Sequence, residues 1–326
     1  MADKKSVINA LNEALKEEMR RDEDVYIIGE DVAKMGGSWQ ITAGLLDEFG
    51  PDRAVDTPIN EMSIVSMAVG EAALMGRRPV IEVMFADMLP YCYDSIINQA
   101  AKIHSWSGGD LKCPMVIRCA QGAGGGIGCH HSQSGEGWFM NVPGLKIISP
   151  SNPYDAKGLM KAAIRDDNPV LFFEHKALYH AMGDYPDDDF VVPIGKARRI
   201  KEGTDITIIA SQLMLGFTQR VLPEIEKAGV NAEIIDPRTI KPFDEEMICE
   251  SAAKTGKVLI IHENPKFGGP GAEMASVINE QCFGKLKKPI ERLCGKEMVI
   301  PYGPSEWFCF PNAQEIAETA IKVAKE

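Results

Sequence analysis

VPGLKIISPSNPYDAKGLMKAAIRDDNPVLFFEHKALY, residues 142–179, reads as strand, helix, strand. LKIIS (145–149) and PVLFFEH (169–175) are short, nearly continuous apolar runs, the pattern of parallel strands covered on both faces. PYDAKGLMKAAIRDD between them is amphipathic at helical spacing. The alternation extends both ways along the chain. VYIIG (25–29), RPVIEVMF (78–85) and PMVIRCA (114–120) precede it, and ITIIA (206–210), AEIID (232–236) and VLIIHE (258–263) follow. Helical patterns fill the gaps: residues 1–25, 62–76, YDSIINQAAKI, GFTQRVLPEIEKAG and NAQEIAETAIKVAKE. MSIVSMAVGEAALMG (62–76) is the most apolar, so that helix is expected to be buried on most sides. The fold class is therefore α/β with parallel sheets.

The 326 residues suit two domains. GDYPDDDF and VVPIGKARRIKEGTD, between 184 and 204, are turn-rich and break the pattern. The expected division is a domain over 1–186, a linker over 187–204 and a second domain over 205–326.

Composition narrows function. The net charge of −12 argues against nucleic acid as a partner, because phosphate neutralisation needs clustered Lys and Arg. No stretch approaches the ~20 apolar residues of a membrane helix, and the charged, helically spaced N-terminus is not a signal peptide. The eight cysteines form no CxxC pair and several sit in apolar runs, so they read as reduced thiols of a cytoplasmic protein.

Chemistry concentrates at strand ends. QGAGGGIGCHHSQSGEG (121–137) places a glycine run after a strand, where backbone approaches a ligand closely or a flexible loop begins. It is neither GxGxxG opening a helix nor a P-loop. His130 and His131 follow, as acid–base or hydrogen-bonding groups or as surface loop residues. In DTPINEMSIVSMAVGEAALMG (56–76), Pro58 forces an extended approach and Asn60 or Glu61 starts the helix. Glu61 gains from the helix N-terminal dipole; first-turn capping is the commoner role for such a residue. GED (29–31) and the pair Glu82 and Asp87 put further carboxylates at strand ends, as catalytic or metal-binding groups or, in the usual use, capping helices or pairing with lysine. HENPKFGGPGAE (262–273) reads as a tight strand-to-helix turn.

GEDV (29–32), DTPINE (56–61), GGGIGCHHSQS (124–134), the 142–179 stretch, DPRTIKPFD (236–244) and HENPKFGGPGAE occur in the order seen in transketolase-like beta subunits of thiamine-diphosphate-dependent 2-oxoacid or acetoin dehydrogenases. The resemblance runs from about residue 5 to 325. It implies a pyrimidine-binding domain followed by a transketolase C-terminal domain. It also implies an α2β2 heterotetramer with an alpha subunit, with thiamine diphosphate at the α–β interface. The GDG…N motif that anchors diphosphate through a metal is absent from the sequence, so Mg2+ is expected on the alpha chain. Glu61 matches the glutamate that hydrogen-bonds the aminopyrimidine. Asp31, Ile59 and Met88 fall at cofactor-binding positions, although Met88, in FADM, stands where many relatives carry an aromatic residue. Tyr91, Tyr93 and Trp106 are expected to shape the pocket around it. His131 matches a histidine facing the lipoyl channel, with a role in positioning substrate or protonating the dithiolane. A structural K+ site is implied at Met115, Ala163, Ile164, Asp166 and Asn168, mainly through backbone carbonyls.

The implied function is cleavage of pyruvate or acetoin, with acyl transfer to a lipoyl acyltransferase. The core of that acyltransferase docks through its peripheral subunit-binding domain, which is typically basic. A branched-chain 2-oxoacid is the alternative substrate. A non-catalytic scaffold is the alternative from another class, and the presence of Glu61 and His131 argues against it.

Overall fold

The computed structural model describes residues 4–326. Two parallel-dominated sheets carry the fold. In the first, seven strands lie in the order Thr239–Lys241, Lys146–Ile148, Val170–His175, Val116–Gln121, Arg78–Val83, Val25–Gly29, Ala54–Asp56. All neighbours are parallel except the first pair. The second sheet runs Glu291–Gly295, Val258–Pro265, Ile206–Ala210, Ala232–Asp236, Arg198–Lys201, with only the last pair antiparallel. The central strands are buried along their whole length, which is why they read as unbroken apolar runs rather than as alternation.

The helices begin where local chemistry supplies caps. Ser6 caps the helix Val7–Arg21, accepting from the Asn9 backbone N–H at 3.1 Å, and the Asn9 side chain accepts in return from the Ser6 N–H. Asn152 caps Pro153–Arg165, whose first residue is proline. These two helices pack face to face through Ala10, Leu11 and Ala14 against Ala156, Leu159 and Met160.

The structure departs from the expectations in four places. Helix Glu61–Met75 is not buried on most sides: Ile64, Val65, Ala68, Val69 and Ala72 enter the core, while Met62, Met67, Leu74 and Met75 face outward. Uniform hydrophobicity along a helix does not by itself put every side in the core of its own chain. YDSIINQAAKI is not one regular helix. Asp94–Ala100 is a π-helical stretch, with the Ala101 N–H bonded to the Ile96 carbonyl, and the short helix Ile103–Trp106 follows. The segment expected as a linker is held down. Asp187 pairs with Lys5 and Asp189 with Lys161 and Arg165. Phe190 stacks on Tyr154 at 4.6 Å, and Arg198–Lys201 is an edge strand of the second sheet. Finally, Thr239–Lys241, from the second half, crosses over to join the first sheet beside Lys146–Ile148.

Candidate functional site

Parallel strands deliver their C-terminal ends to one edge, where ligands of open α/β sheets bind. Four loops meet at that edge of the first sheet. Val25–Gly29 leads into Glu30 and Asp31. Ala54–Asp56 leads into Thr57–Asn60 and then helix Glu61–Met75. Arg78–Val83 leads into Phe85–Met88, and Val116–Gln121 leads into the glycine loop and His131. Asp56 ties the first two loops together, accepting from the backbone N–H of Ala33 at 2.7 Å and of Lys34 at 3.3 Å.

Asn60 caps the helix, accepting from Ser63 N–H at 3.0 Å, so the helix begins at Glu61 with its carboxylate in the first turn. Glu30 faces it. Burial pushes the Glu30 carboxyl above the usual carboxylate range, and the negative charge of Glu61 pushes it further. The Glu30 Oε1 is buried without a hydrogen-bond partner, as is the Thr57 hydroxyl. The Cys92 thiol, pushed up to about 12 by burial and by Glu61, lies on the core side. Met88 is half-buried against the same core, and Ile59 stands 81% exposed at the rim. This open edge therefore offers a half-exposed carboxylate, a partnerless buried carboxylate oxygen, a hydroxyl and an apolar wall. That set suits an aromatic nitrogen heterocycle with an exocyclic amine, such as the aminopyrimidine of thiamine diphosphate.

Of the two carboxylates after the first strand, Glu30 rather than Asp31 interacts with Glu61. Asp31 is exposed and left-handed (φ 55°), and its carbonyl accepts from Gly37 N–H at 2.9 Å. The sequence shows both residues in GED but not which one turns inward. Tyr93 packs edge-on to Phe139 at 5.2 Å, whereas Tyr91 and Trp106 point outward and do not line this wall within the chain.

His131 is set by its loop. Its ring meets Phe85 edge-on at 4.5 Å, and its carbonyl accepts from Lys176 Nζ at 2.5 Å. Lys176 also holds the carbonyl of Gly122, so one buried ammonium ties the two ends of the glycine loop. Burial lowers the Lys176 pKa to about 8. Asp87 accepts from the Gln133 side chain at 2.8 Å, and Glu306, from the second half, accepts from the N–H groups of Gly124 and Gly126. His130 turns the other way, into a cavity between the two halves. Lys176 and Glu306 are outside the expected site, and Glu30 enters it where the resemblance points to its neighbour Asp31. Only EHKALY held a hint of the first.

Met115, Ala163, Ile164, Asp166 and Asn168 lie at the opposite edge, before the strands Val116–Gln121 and Val170–His175. Arg78 donates to the carbonyls of Ile164 (3.0 Å) and Asp166 (3.1 Å). Met115 O accepts from Val170 N–H. Burial alone would raise the Asp166 carboxyl, but the ion pair with Lys146 and hydrogen bonds from Asn168 hold it below its usual range. No cluster of three or more His, Cys, Asp or Glu side chains that could hold a metal occurs among the described residues. The donors at this edge are neutral carbonyls, each with a second lone pair, which in kind suits a monovalent cation. Arg78 already takes one lone pair from two of them.

The family description "Transketolase, pyrimidine binding domain" matches residues 3–182, and "Transketolase, C-terminal domain" matches residues 195–316. The chain is 47% identical over 323 residues to the 2-oxoisovalerate dehydrogenase subunit beta of Bacillus subtilis, covering 98% of each. It is 40% identical over 319 residues to the pyruvate dehydrogenase E1 component subunit beta of Rickettsia conorii, again covering 98% of each. Among solved structures, a split-gene transketolase described as an inactive beta4 tetramer superposes with a TM-score of 0.80 at 20% identity, covering 98% of this chain and 99% of that one. At that identity the likeness concerns the fold.

Proposed function

This chain belongs to the transketolase-like beta subunits of thiamine-diphosphate-dependent 2-oxoacid dehydrogenases, and from that premise we propose how its residues serve the reaction. It is the beta half of an oxidoreductase component that works with an alpha subunit. The proposed assembly is α2β2. The alpha chain covers the strand-end edge and the outward face of helix Glu61–Met75, and it holds Mg2+ and the diphosphate.

Thiamine diphosphate, when bound, supplies the electron sink that lets a 2-oxoacid lose CO2. Glu61 would hydrogen-bond the pyrimidine ring through its carboxyl. Glu30 favours that arrangement, because two adjacent carboxylates retain a proton more readily than one. Ile59 and Met88 supply apolar surface, and Asp31 lies at the rim. The observation that carries this reading is the pairing of Glu61, in the first turn of its helix, with the raised, half-unpartnered Glu30.

The substrate reading is pyruvate or acetoin, with the acyl group passed to a lipoyl acyltransferase. A branched-chain 2-oxoacid is the second reading, and the 47% identity to a 2-oxoisovalerate dehydrogenase subunit supports it equally. The reconstituted α–β pair, assayed with an artificial electron acceptor, decides among pyruvate, acetoin and 3-methyl-2-oxobutanoate by kcat/KM. Turnover of none of them would remove the reading.

His131 is proposed to act in the second half-reaction. His131→Ala lowers acyl transfer to a lipoyl domain by about 100-fold and leaves the artificial-acceptor rate within about threefold. An equal loss in both assays assigns His131 to decarboxylation instead. The C-terminal half is proposed to dock the acyltransferase's peripheral subunit-binding domain, with binding that loosens as salt rises.

The carbonyl cluster at the opposite edge is proposed as a K+ site that braces the loop after helix Pro153–Arg165. The melting temperature in KCl then exceeds that in tetramethylammonium chloride at equal ionic strength by a few degrees. Equal melting points would leave Arg78 and Lys146 as the only cations there.

A further inference from the structure

Among the described residues Lys157, Lys161 and Lys176 are buried, and the first two pair with carboxylates. Lys176 forms no ion pair. It is 4% exposed, and its ammonium donates to two backbone carbonyls, those of Gly122 and His131. A buried charge is costly unless it is matched by an opposite one. Here the charge is matched instead to the two ends of a loop.

The surroundings all converge on that loop. A β-carbon at Gly122 would collide with the His175 ring, and one at Gly124 with the Ala177 side chain; both glycines have positive φ. The loop therefore lies directly on the turn that carries Lys176. The Phe85 ring centre is 5.8 Å from Lys176 Nζ and 4.5 Å from the His131 ring, so one aromatic side chain touches both groups. Three carboxylates face the ammonium: Asp87, and Glu263 and Glu306 from the second half. Each is engaged elsewhere. Asp87 accepts from Gln133, Glu263 from His175, and Glu306 from the N–H groups of Gly124 and Gly126. The loop is held from two sides, its N–H groups by Glu306 and its carbonyls by Lys176.

We propose that Lys176 is a positioning residue for His131: its ammonium sets the glycine loop for acyl transfer, and loss of its proton releases that loop. The proposal rests on the reading that His131 serves the second half-reaction, and it adds the group that holds His131 in place. The charged amine makes hydrogen bonds roughly twice as strong as a neutral donor does, and only the charged form is drawn to the face of Phe85. Burial lowers the Lys176 pKa to about 8, outweighing the attraction of Asp87, Glu263 and Glu306. About nine in ten lysines at this position are then charged at pH 7 and about one in ten at pH 9, a range in which an ordinary lysine stays protonated. The cation is the holding form, so the loop loosens as pH rises through about 8.

The test reads the loop and the reaction separately, in the reconstituted enzyme. Hydrogen–deuterium exchange, corrected for its intrinsic pH dependence, is expected to show protection over residues 122–133 falling about threefold or more between pH 7 and pH 9. Strand Val116–Gln121 keeps its protection. Over the same range the rate of acyl transfer to a lipoyl domain, divided by the artificial-acceptor rate, falls by up to about tenfold, in step with the charged fraction. Lys176→Met has the loose loop and the low ratio already at pH 7. Lys176→Arg, charged throughout, removes the fall. Melting temperatures check that the variants fold, and the wild-type profiles need no variant. Protection and ratio that stay level in the wild-type enzyme overturn the proposal, as does a fall that persists in Lys176→Met. If protection stays level while His131→Ala lowers transfer, the clamp is wrong and the His131 reading stands. If protection falls but neither Lys176→Met nor His131→Ala lowers the ratio, the His131 reading is wrong and positioning falls with it, leaving only a lysine that holds a loop.

Discussion

Glu61→Gln lowers turnover of the reconstituted enzyme with the artificial acceptor by about two to four orders of magnitude, the usual span for removing an acid–base group. Glutamine keeps the size of the side chain and can still hydrogen-bond, but it cannot hold an ionisable proton against a ring nitrogen. The fold survives the change. Asn60 rather than Glu61 provides the helix cap, and the lost charge–dipole term is about 0.3–1 kcal/mol at an exposed first turn. The loss therefore appears in kcat with the melting temperature nearly unchanged. Glu30 responds too: without the charge of Glu61 beside it, its carboxyl moves back toward the ordinary range, so the proton it retains is lost at lower pH and the alkaline limb of any remaining activity moves down. A Glu61→Gln enzyme turning over within threefold of wild type defeats the assignment, and it would also revive the scaffold reading.

Residue 61 shows what a sequence exposes and what it hides. The β–α–β run at 142–179 and the DTPINE approach to a helix are local patterns, and the helices and strands stand where those patterns place them. The Glu30–Glu61 pairing is not local. It depends on how the loops after two neighbouring parallel strands turn, and GED offers two carboxylates without saying which one faces inward. Helix Glu61–Met75 misled for a different reason, since an apolar face left exposed has the same composition as one facing a core. The crossover of Thr239–Lys241 is three residues long, too short for any periodicity to reveal. The π-helical stretch Asp94–Ala100 depends on hydrogen bonds shifted by one residue, such as that from the Ala101 N–H to the Ile96 carbonyl. Lys176 and Glu306 act through backbone carbonyls and N–H groups of the glycine loop, distant in sequence from both.

Arg118 is the clearest case of a nonlocal feature inside a legible strand, and its removal has the largest effect expected on stability. VIRCA reads as a buried strand, and Arg118 is 2% exposed at its centre. It donates to Glu174 from two nitrogens, at 2.8 and 2.7 Å, and to Glu82 on the other side, so it joins the two neighbouring strands of the sheet. Tyr179 adds a hydrogen bond to Glu174 at 2.8 Å. Burial alone would strip the charge from Arg118, but Glu174 and Glu82 more than reverse that and keep it protonated. One guanidinium cannot balance two carboxylates. Burial therefore pushes Glu82 upward, and the attraction of Arg118 offsets this only in part.

Arg118→Met leaves Glu82 and Glu174 buried without their cation. Breaking a buried pair from one side typically costs about 3–5 kcal/mol, which at about 2–4 °C per kcal/mol lowers the melting temperature by roughly 10 °C. The triple variant Arg118→Met, Glu82→Gln, Glu174→Gln should recover part of that loss, because the cost lies in stranded charge rather than in lost attraction. The loss should deepen as pH rises from 5 to 8, since burial makes the Glu82 carboxyl retain a proton that rising pH removes. A single variant melting within about 2 °C of wild type would show that water reaches these carboxylates and that the centre of the first sheet is not closed around them.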